Sequence, residues 1–109
     1  MMSRLWLPRF YVYLLLSERG EVYTGFTSDL RRRLAEHNAV ENAGWTRGRR
    51  WHLLAVRRFF DRHSALIHER RLKQSRFDKR NWLRYLSRSN QRLAELCRRH
   101  GIEHRLVRS

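Results

Sequence analysis

The hydrophobic and polar positions resolve into a β-β-α-β-α-α-α order. Residues 10–16, Phe-Tyr-Val-Tyr-Leu-Leu-Leu, form a β-branched and aromatic run that Ser17-Glu18-Arg19-Gly20 brings to an end. Glu21-Val22-Tyr23-Thr24-Gly25-Phe26-Thr27 is a second run of the same kind. Two β-like runs joined by a short Gly-containing connection predict an antiparallel hairpin. Over residues 29–38, Leu30 and Leu34 share one face of a short helix. Thr27 or Ser28 is placed to cap it, with Asp29 in the first turn, where the helix dipole favours an anion. Residues 39–50 read as a loop carrying Gly44, Gly48, Arg47, Arg49 and Arg50, and residues 51–60 as a third strand. Asp61 is placed to cap a helix running to about Gln74. Ser75 and Ser89 are placed to cap two more, and Gly101 is a natural stop for the last.

Composition narrows the function classes. The chain has 109 residues, the length of one domain, with 41% hydrophobic and 12% aromatic residues. Four Trp, four Tyr and five Phe exclude a wholly disordered basic tail, and the length excludes a two-domain enzyme with a separate cofactor domain. The one cysteine, Cys97, excludes an internal disulfide and a multi-Cys zinc site, and it suits a reducing compartment such as the cytoplasm. No segment near the N-terminus approaches the roughly 20 apolar residues that span a bilayer, and none has the build of a signal peptide.

Charge changes the picture more. Lys and Arg number 25 against 10 Asp and Glu, a formal net charge of +15. Neutralising phosphates releases condensed counterions, so nucleic acid is the first partner expected. An anionic membrane surface is the rival. The strong bias to Arg over Lys also has a bland source in GC-rich coding.

Candidate chemistry gathers at five positions. Tyr13 and Tyr23 sit one on each strand of the hairpin. Arg33 and His37, spaced i, i+4, share a helix face. Glu69 lies with Ala65 and Leu72 on an apolar stripe, where a carboxylate needs compensation by a cation or a metal, and Lys73 one turn on is placed to pair with it. Each has an ordinary reading when taken alone. The tyrosines suit any sheet, Arg33 is one of three consecutive arginines, His37 suits a helix end, and a Glu69–Lys73 pair is worth about 0.3–0.5 kcal/mol. Trp45-Thr-Arg47-Gly-Arg49-Arg50 is a basic loop fit to track a phosphate backbone. Arg80, Arg84, Arg88, Arg92, Arg98 and Arg99 stripe the C-terminal helices, as a second nucleic-acid surface or a solvated face.

Tyr11-Val-Tyr13, Val22-Tyr23-Thr-Gly25, Asp29-Leu-Arg-Arg-Arg33-Leu-x-x-His37 and His68-Glu69-x-x-Leu-Lys73 together resemble the GIY-YIG nuclease domain, in its small stand-alone bacterial form. The ten-residue steps from Tyr13 to Tyr23 and from Tyr23 to Arg33 agree with the family pattern. The resemblance implies an α+β fold with a three-stranded antiparallel sheet flanked by helices. It implies a nuclease-like domain over residues 10–86, with residues 87–109 a basic helical extension packed on it. The implied reaction is phosphodiester hydrolysis with one divalent ion, Mg2+ or Mn2+, on nucleic acid, most naturally DNA. Glu69 would hold the metal. Arg33 would meet the scissile phosphate, Tyr23 would activate or orient water, Tyr13 would position water or phosphate, and His37 would relay or accept a proton. Tyr23 and His37 stay open alternatives for the base. Gly25 would let backbone and phosphate come close, and Arg47, Arg49, Arg50 and Lys73 would contact the nucleic acid. Phe26 stands where some repair nucleases of the superfamily carry a lysine. A non-catalytic nucleic-acid-binding module on the same fold is the alternative.

Overall fold

The computed structural model describes residues 9–39 and 50–102. Its elements are β1 (Phe10–Ser17), β2 (Val22–Thr27), α1 (Leu30–Asn38), β3 (Trp51–Phe59), α2 (Arg62–Gln74), α3 (Arg76–Ser87) and α4 (Gln91–Arg99). The three strands form one antiparallel sheet in the order β2-β1-β3, with β1 in the centre. The connection from β1 to β2 turns on Gly20, at φ +83°, and on Ser17. The Ser17 hydroxyl accepts from the backbone N–H groups of Arg19 and Glu21 and donates to the Glu21 carboxylate at 3.1 Å.

The central strand is buried on both faces, which explains why it reads as a continuous apolar run and not as an alternating one. Tyr13 and Leu15 join Trp51 on one face, where Tyr23 and α1's Leu30 and Leu34 pack. Val12, Leu14 and Leu16 point the other way, onto α2, α3 and α4. There they meet Ala65, Leu72, Leu83 and Leu93, with Ile102 just after α4. The sheet therefore lies between α1 and a layer of three helices. A bulge between Leu14 and Leu15 leaves Leu54 of β3 without a partner, so that Leu54 and Ala55 both enter the larger cluster.

Two helix starts differ from the sequence expectation. Asp29, not Thr27 or Ser28, caps α1 by accepting from the Arg32 N–H at 3.1 Å, while the Thr27 hydroxyl accepts from the Asp29 N–H. Asn90, not Ser89, caps α4 by accepting from the Leu93 N–H at 3.0 Å. In both places adjacent residues can each cap, and the carbonyl or carboxylate oxygen that reaches N3 takes the role. Asp61 and Ser75 cap α2 and α3 as expected, and Gly101, at φ +58°, follows the end of α4.

Candidate active site

The hairpin register decides what meets at the site. Tyr13 lies opposite Gly25, and Leu15 opposite Tyr23. Facing residues in an antiparallel pair project to the same side, so both tyrosines stand on the α1 face. The Tyr13 ring extends over Gly25. A Cβ built on Gly25 would overlap the phenol carbons and oxygen, and even ring atom Cε2 would lie only 2.6 Å from it. The Tyr13 ring fills the space beside Gly25 that a side chain there would need. Gly25 is small because Tyr13 needs the room.

Helix α1 brings the next two groups. Its Asp29 cap fixes the start, and the i, i+4 spacing aims Arg33 and His37 at the tyrosines. His37 is buried, and its Nε2 shares a 2.9 Å hydrogen bond with the Tyr13 hydroxyl. The His37 ring packs edge-on against Tyr23 at 4.9 Å and against Tyr13 at 5.9 Å between centroids. Arg33 reaches the Tyr13 oxygen from the same helix and pairs with Glu36 at 3.4 Å, both partners half exposed. Such an exposed pair contributes little, so Arg33 is readily shared with an incoming anion.

Electrostatics sorts these groups by role. Tyr13 is 1% exposed, and burial, then the neighbouring Tyr23, pushes its pKa up to about 12. The phenol therefore stays protonated at physiological pH. Burial also lowers the His37 pKa, with the Arg33 charge acting the same way, so the imidazole stays neutral. The contact with Tyr13 raises the Arg33 pKa further.

Glu69 comes from the opposite layer. Helix α2 packs on both β1 and β2, and Glu69 lies between the buried Ala65 and Leu72 on its inner stripe. Its carboxylate is close enough to raise the Tyr13 pKa. The side chain is 17% exposed and pairs with Lys73 at 3.3 Å, Lys73 itself being 52% exposed. Among the described residues, no group of three or more His, Cys, Asp or Glu side chains is placed to hold a metal ion. A metal at Glu69 would thus have one protein carboxylate and fill its other positions with water and phosphate oxygens. That donor set suits a hard ion such as Mg2+ or Mn2+ and does not suit zinc.

The structure therefore brings Tyr13, Tyr23, Arg33 and His37 together, while Glu69 on α2 acts on Tyr13 through its charge and Lys73 pairs with Glu69. Arg50 is exposed, and its backbone carbonyl accepts from the Glu18 N–H beside the hairpin turn. Arg47 and Arg49 lie outside the described residues. Sequence reasoning missed Asn38 and Trp51. The Asn38 amide accepts from the Trp51 N–H at 2.7 Å and donates to the Trp51 carbonyl at 3.0 Å, tying the end of α1 to the start of β3. Trp51 is buried and packs edge-on against Tyr23 at 6.0 Å. The one hint in the sequence is the position of Asn38, directly after His37 at a helix end.

The sequence profile of the GIY-YIG catalytic domain matches residues 9–81, well over half of the chain. The chain belongs to the GIY-YIG family. Among its relatives, a UPF0213 protein of Halobacterium salinarum is 45% identical over 65 residues, covering 59% of this chain and 84% of that one. A UPF0213 protein of Lactiplantibacillus plantarum is 42% identical over 85 residues, covering 74% and 81% respectively. The solution NMR structure of a UPF0213 protein of Bacillus halodurans matches with a TM-score of 0.50 at 31% identity, over 79% of this chain and 93% of that one. Membership places the chain in a nuclease-type family that acts on nucleic acid in general. All five candidate residues fall inside the GIY-YIG match, whereas α4 falls beyond it. Phe26, the departure noted in the sequence, stacks on Phe10 at 6.1 Å on the α2 face, and the Arg62 guanidinium sits 5.4 Å from its ring centroid.

Proposed function

We propose that this GIY-YIG protein is a metal-dependent endonuclease that hydrolyses nucleic-acid phosphodiesters, with DNA as its substrate and the cytoplasm as its place of action. The observation that carries the reading is the convergence of Tyr13, Tyr23, Arg33 and His37 around one hydrogen-bonded centre, with the Glu69 carboxylate acting on the same phenol.

Attack on a phosphodiester concentrates negative charge on the non-bridging oxygens. Arg33, held against Tyr13 and open to solvent, is the group that meets this charge. Tyr13 does not act as a free phenolate, because burial holds its proton up to about pH 12. It works as a bridge: its hydroxyl donates to neutral His37 Nε2 and accepts from the attacking water. His37 then receives the proton through Tyr13 as the water oxygen bonds to phosphorus and the bond from phosphorus to the leaving sugar oxygen breaks; that oxygen takes its proton from solvent, and no covalent enzyme intermediate arises. Tyr23, against the His37 ring, orients the water. Glu69 would hold one Mg2+ or Mn2+ ion, which supplies Lewis-acid stabilisation of the phosphate when bound. Lys73, Arg50, Arg47 and Arg49 are the proposed backbone contacts. Gly25 serves the site by admitting the Tyr13 ring.

The Glu69–Lys73 ion pair favours one second reading, a nucleic-acid-binding module that does not cleave, because the carboxylate already has a cationic partner. A cleavage panel separates the two. Flap, branched, linear-duplex and single-stranded DNA, with matched RNA, are incubated with the protein and Mg2+ or Mn2+, beside Glu69→Ala. The nuclease reading expects cleavage of at least one substrate, lost in Glu69→Ala while affinity persists. Binding without cleavage of any substrate by the wild type would establish the module instead. No helix among the described residues is long and apolar enough to cross a membrane.

A further inference from the structure

A groove runs between α3 and α4, away from the tyrosine cluster, with a volume of about 460 Å³. That lies within the size range of small-ligand sites. Its floor is apolar, made by Leu83, Ala94, Cys97 and Ile102, and its rim is basic, made by Arg80, Arg84, Arg88 and Arg98. Among the described residues, no Asp or Glu lines it. The acid that α4 carries, Glu95, pairs with Arg99 at 3.6 Å. Arg80 Nε is buried there without a hydrogen-bond partner among the described residues, while its guanidinium lies 4.4 Å from the Phe77 ring centroid.

We propose that this groove is a second nucleic-acid subsite, which seats an unpaired strand with its bases on the apolar floor and its phosphates along the arginine rim. The inference rests on the nucleic-acid reading of the first site and adds the strand class that the protein grips. Three observations select this occupant. Arg80 and Arg84 of α3 and Arg88, its C-cap, fall at i, i+4 and i+8, so they follow one another in steps of about 6 Å, one cation per turn. A ligand with a single charged headgroup would use one of them, whereas a strand offers a phosphate at every residue. The groove is concave, a shape that a planar membrane does not follow. An apolar floor beneath a cationic rim matches a flat base joined to a phosphate, and an acidic peptide would leave that floor uncovered.

Cys97, the chain's one cysteine, lies on the floor and reports on occupancy. Alkylation of the full-length protein by N-ethylmaleimide is followed by mass spectrometry without divalent metal, so that nothing is cut. Oligodeoxythymidine at about ten times its Kd should slow the reaction roughly tenfold, in line with groove occupancy. Blunt duplex at the same fractional saturation should protect less, and phosphatidylglycerol vesicles should not protect. In parallel, Arg80→Gln and Arg88→Gln should each flatten the salt dependence of oligodeoxythymidine binding by about 0.7 in slope, the loss of one phosphate contact to a single strand. Bound oligodeoxythymidine with unchanged Cys97 reactivity and unchanged salt slopes would overturn the proposal, as would equal protection by vesicles or by polyglutamate. Cleavage without Cys97 protection removes only the groove. Protection without cleavage of any substrate removes only the nuclease reading.

Discussion

Gly25 and Tyr13 compete for one volume, and the site depends on Tyr13 holding it. In Gly25→Ala the added methyl overlaps the phenol, so the ring must move and its hydrogen bond to His37 is lost. Overpacking of this kind costs about 1–3 kcal/mol of stability. A displacement on the order of 1 Å can also slow cleavage about 100-fold. Thermal denaturation and single-turnover cleavage should register both losses, with affinity for nucleic acid close to wild type. Unchanged cleavage would mean that Tyr13 is packing alone. His37 contributes to the pH dependence of stability, as does His68, whose pKa burial also lowers. The folded pKa of His37 is lowered, so folding favours the neutral ring, and that contribution is complete above the ordinary value near 6.5. It declines as pH falls below 6.5, because the unfolded chain takes up the proton first. Chemical denaturation at pH 7.5 and 5.5 should therefore show a larger loss on acidification for wild type than for His37→Asn, and equal losses would contradict the assignment. The residue types and their ten-residue steps are visible in the sequence because a hairpin and one helix place them. The task of Gly25 is not visible, since it depends on which way the Tyr13 side chain leans.

Helix α1 holds its place through Asn38, whose amide stands in for a strand partner at Trp51. Asn38→Ala removes three side-chain hydrogen bonds, one of them to the Leu34 carbonyl, and leaves a Trp51 N–H and carbonyl without those partners, a cost of about 1–3 kcal/mol. Because the clamp aims the helix that carries Arg33 and His37, the variant should lower kcat more than it raises KM. Asn38→Asp, which keeps the acceptor for the Trp51 N–H, should recover part of the loss. A purely structural clamp would lower stability and leave kcat per folded molecule unchanged. This pairing joins residues 13 apart in the chain across a stretch of irregular sequence, so no local pattern announces it. The same limit explains the capping differences. Thr27, Ser28 and Asp29 are all competent caps, as are Ser89 and Asn90, and tertiary placement of each helix chooses among them. The hairpin, by contrast, is legible from its two apolar runs and its glycine turn. The β3 bulge is not, because alternation in Trp51-His-Leu-Leu-Ala-Val56 is already broken by the extra leucine.

At the scale of the whole molecule, one apolar core serves a strongly cationic surface. Leu14 is fully buried in the cluster that joins β1 to α3 and α4, so Leu14→Ala should destabilise the whole fold by about 2–5 kcal/mol, in one cooperative transition by circular dichroism. Two separate transitions would show that α4 melts independently. The formal charge of +15 calls for steep salt dependence of nucleic-acid binding, and a flat profile would remove the electrostatic premise. Composition makes that partner class legible, but it does not reveal the groove between α3 and α4, which exists only once those helices pack. The most direct test of the central claim, that Arg33 and Glu69 act with the tyrosines as one catalytic unit, is a double-mutant cycle in single-turnover cleavage. Arg33→Ala should slow the reaction by about 10²–10³-fold. Glu69→Ala should slow it at least as much, and the double variant should be little worse than Glu69→Ala, as groups that act together are not additive. Multiplying effects, or full cleavage by Glu69→Ala, would contradict the account.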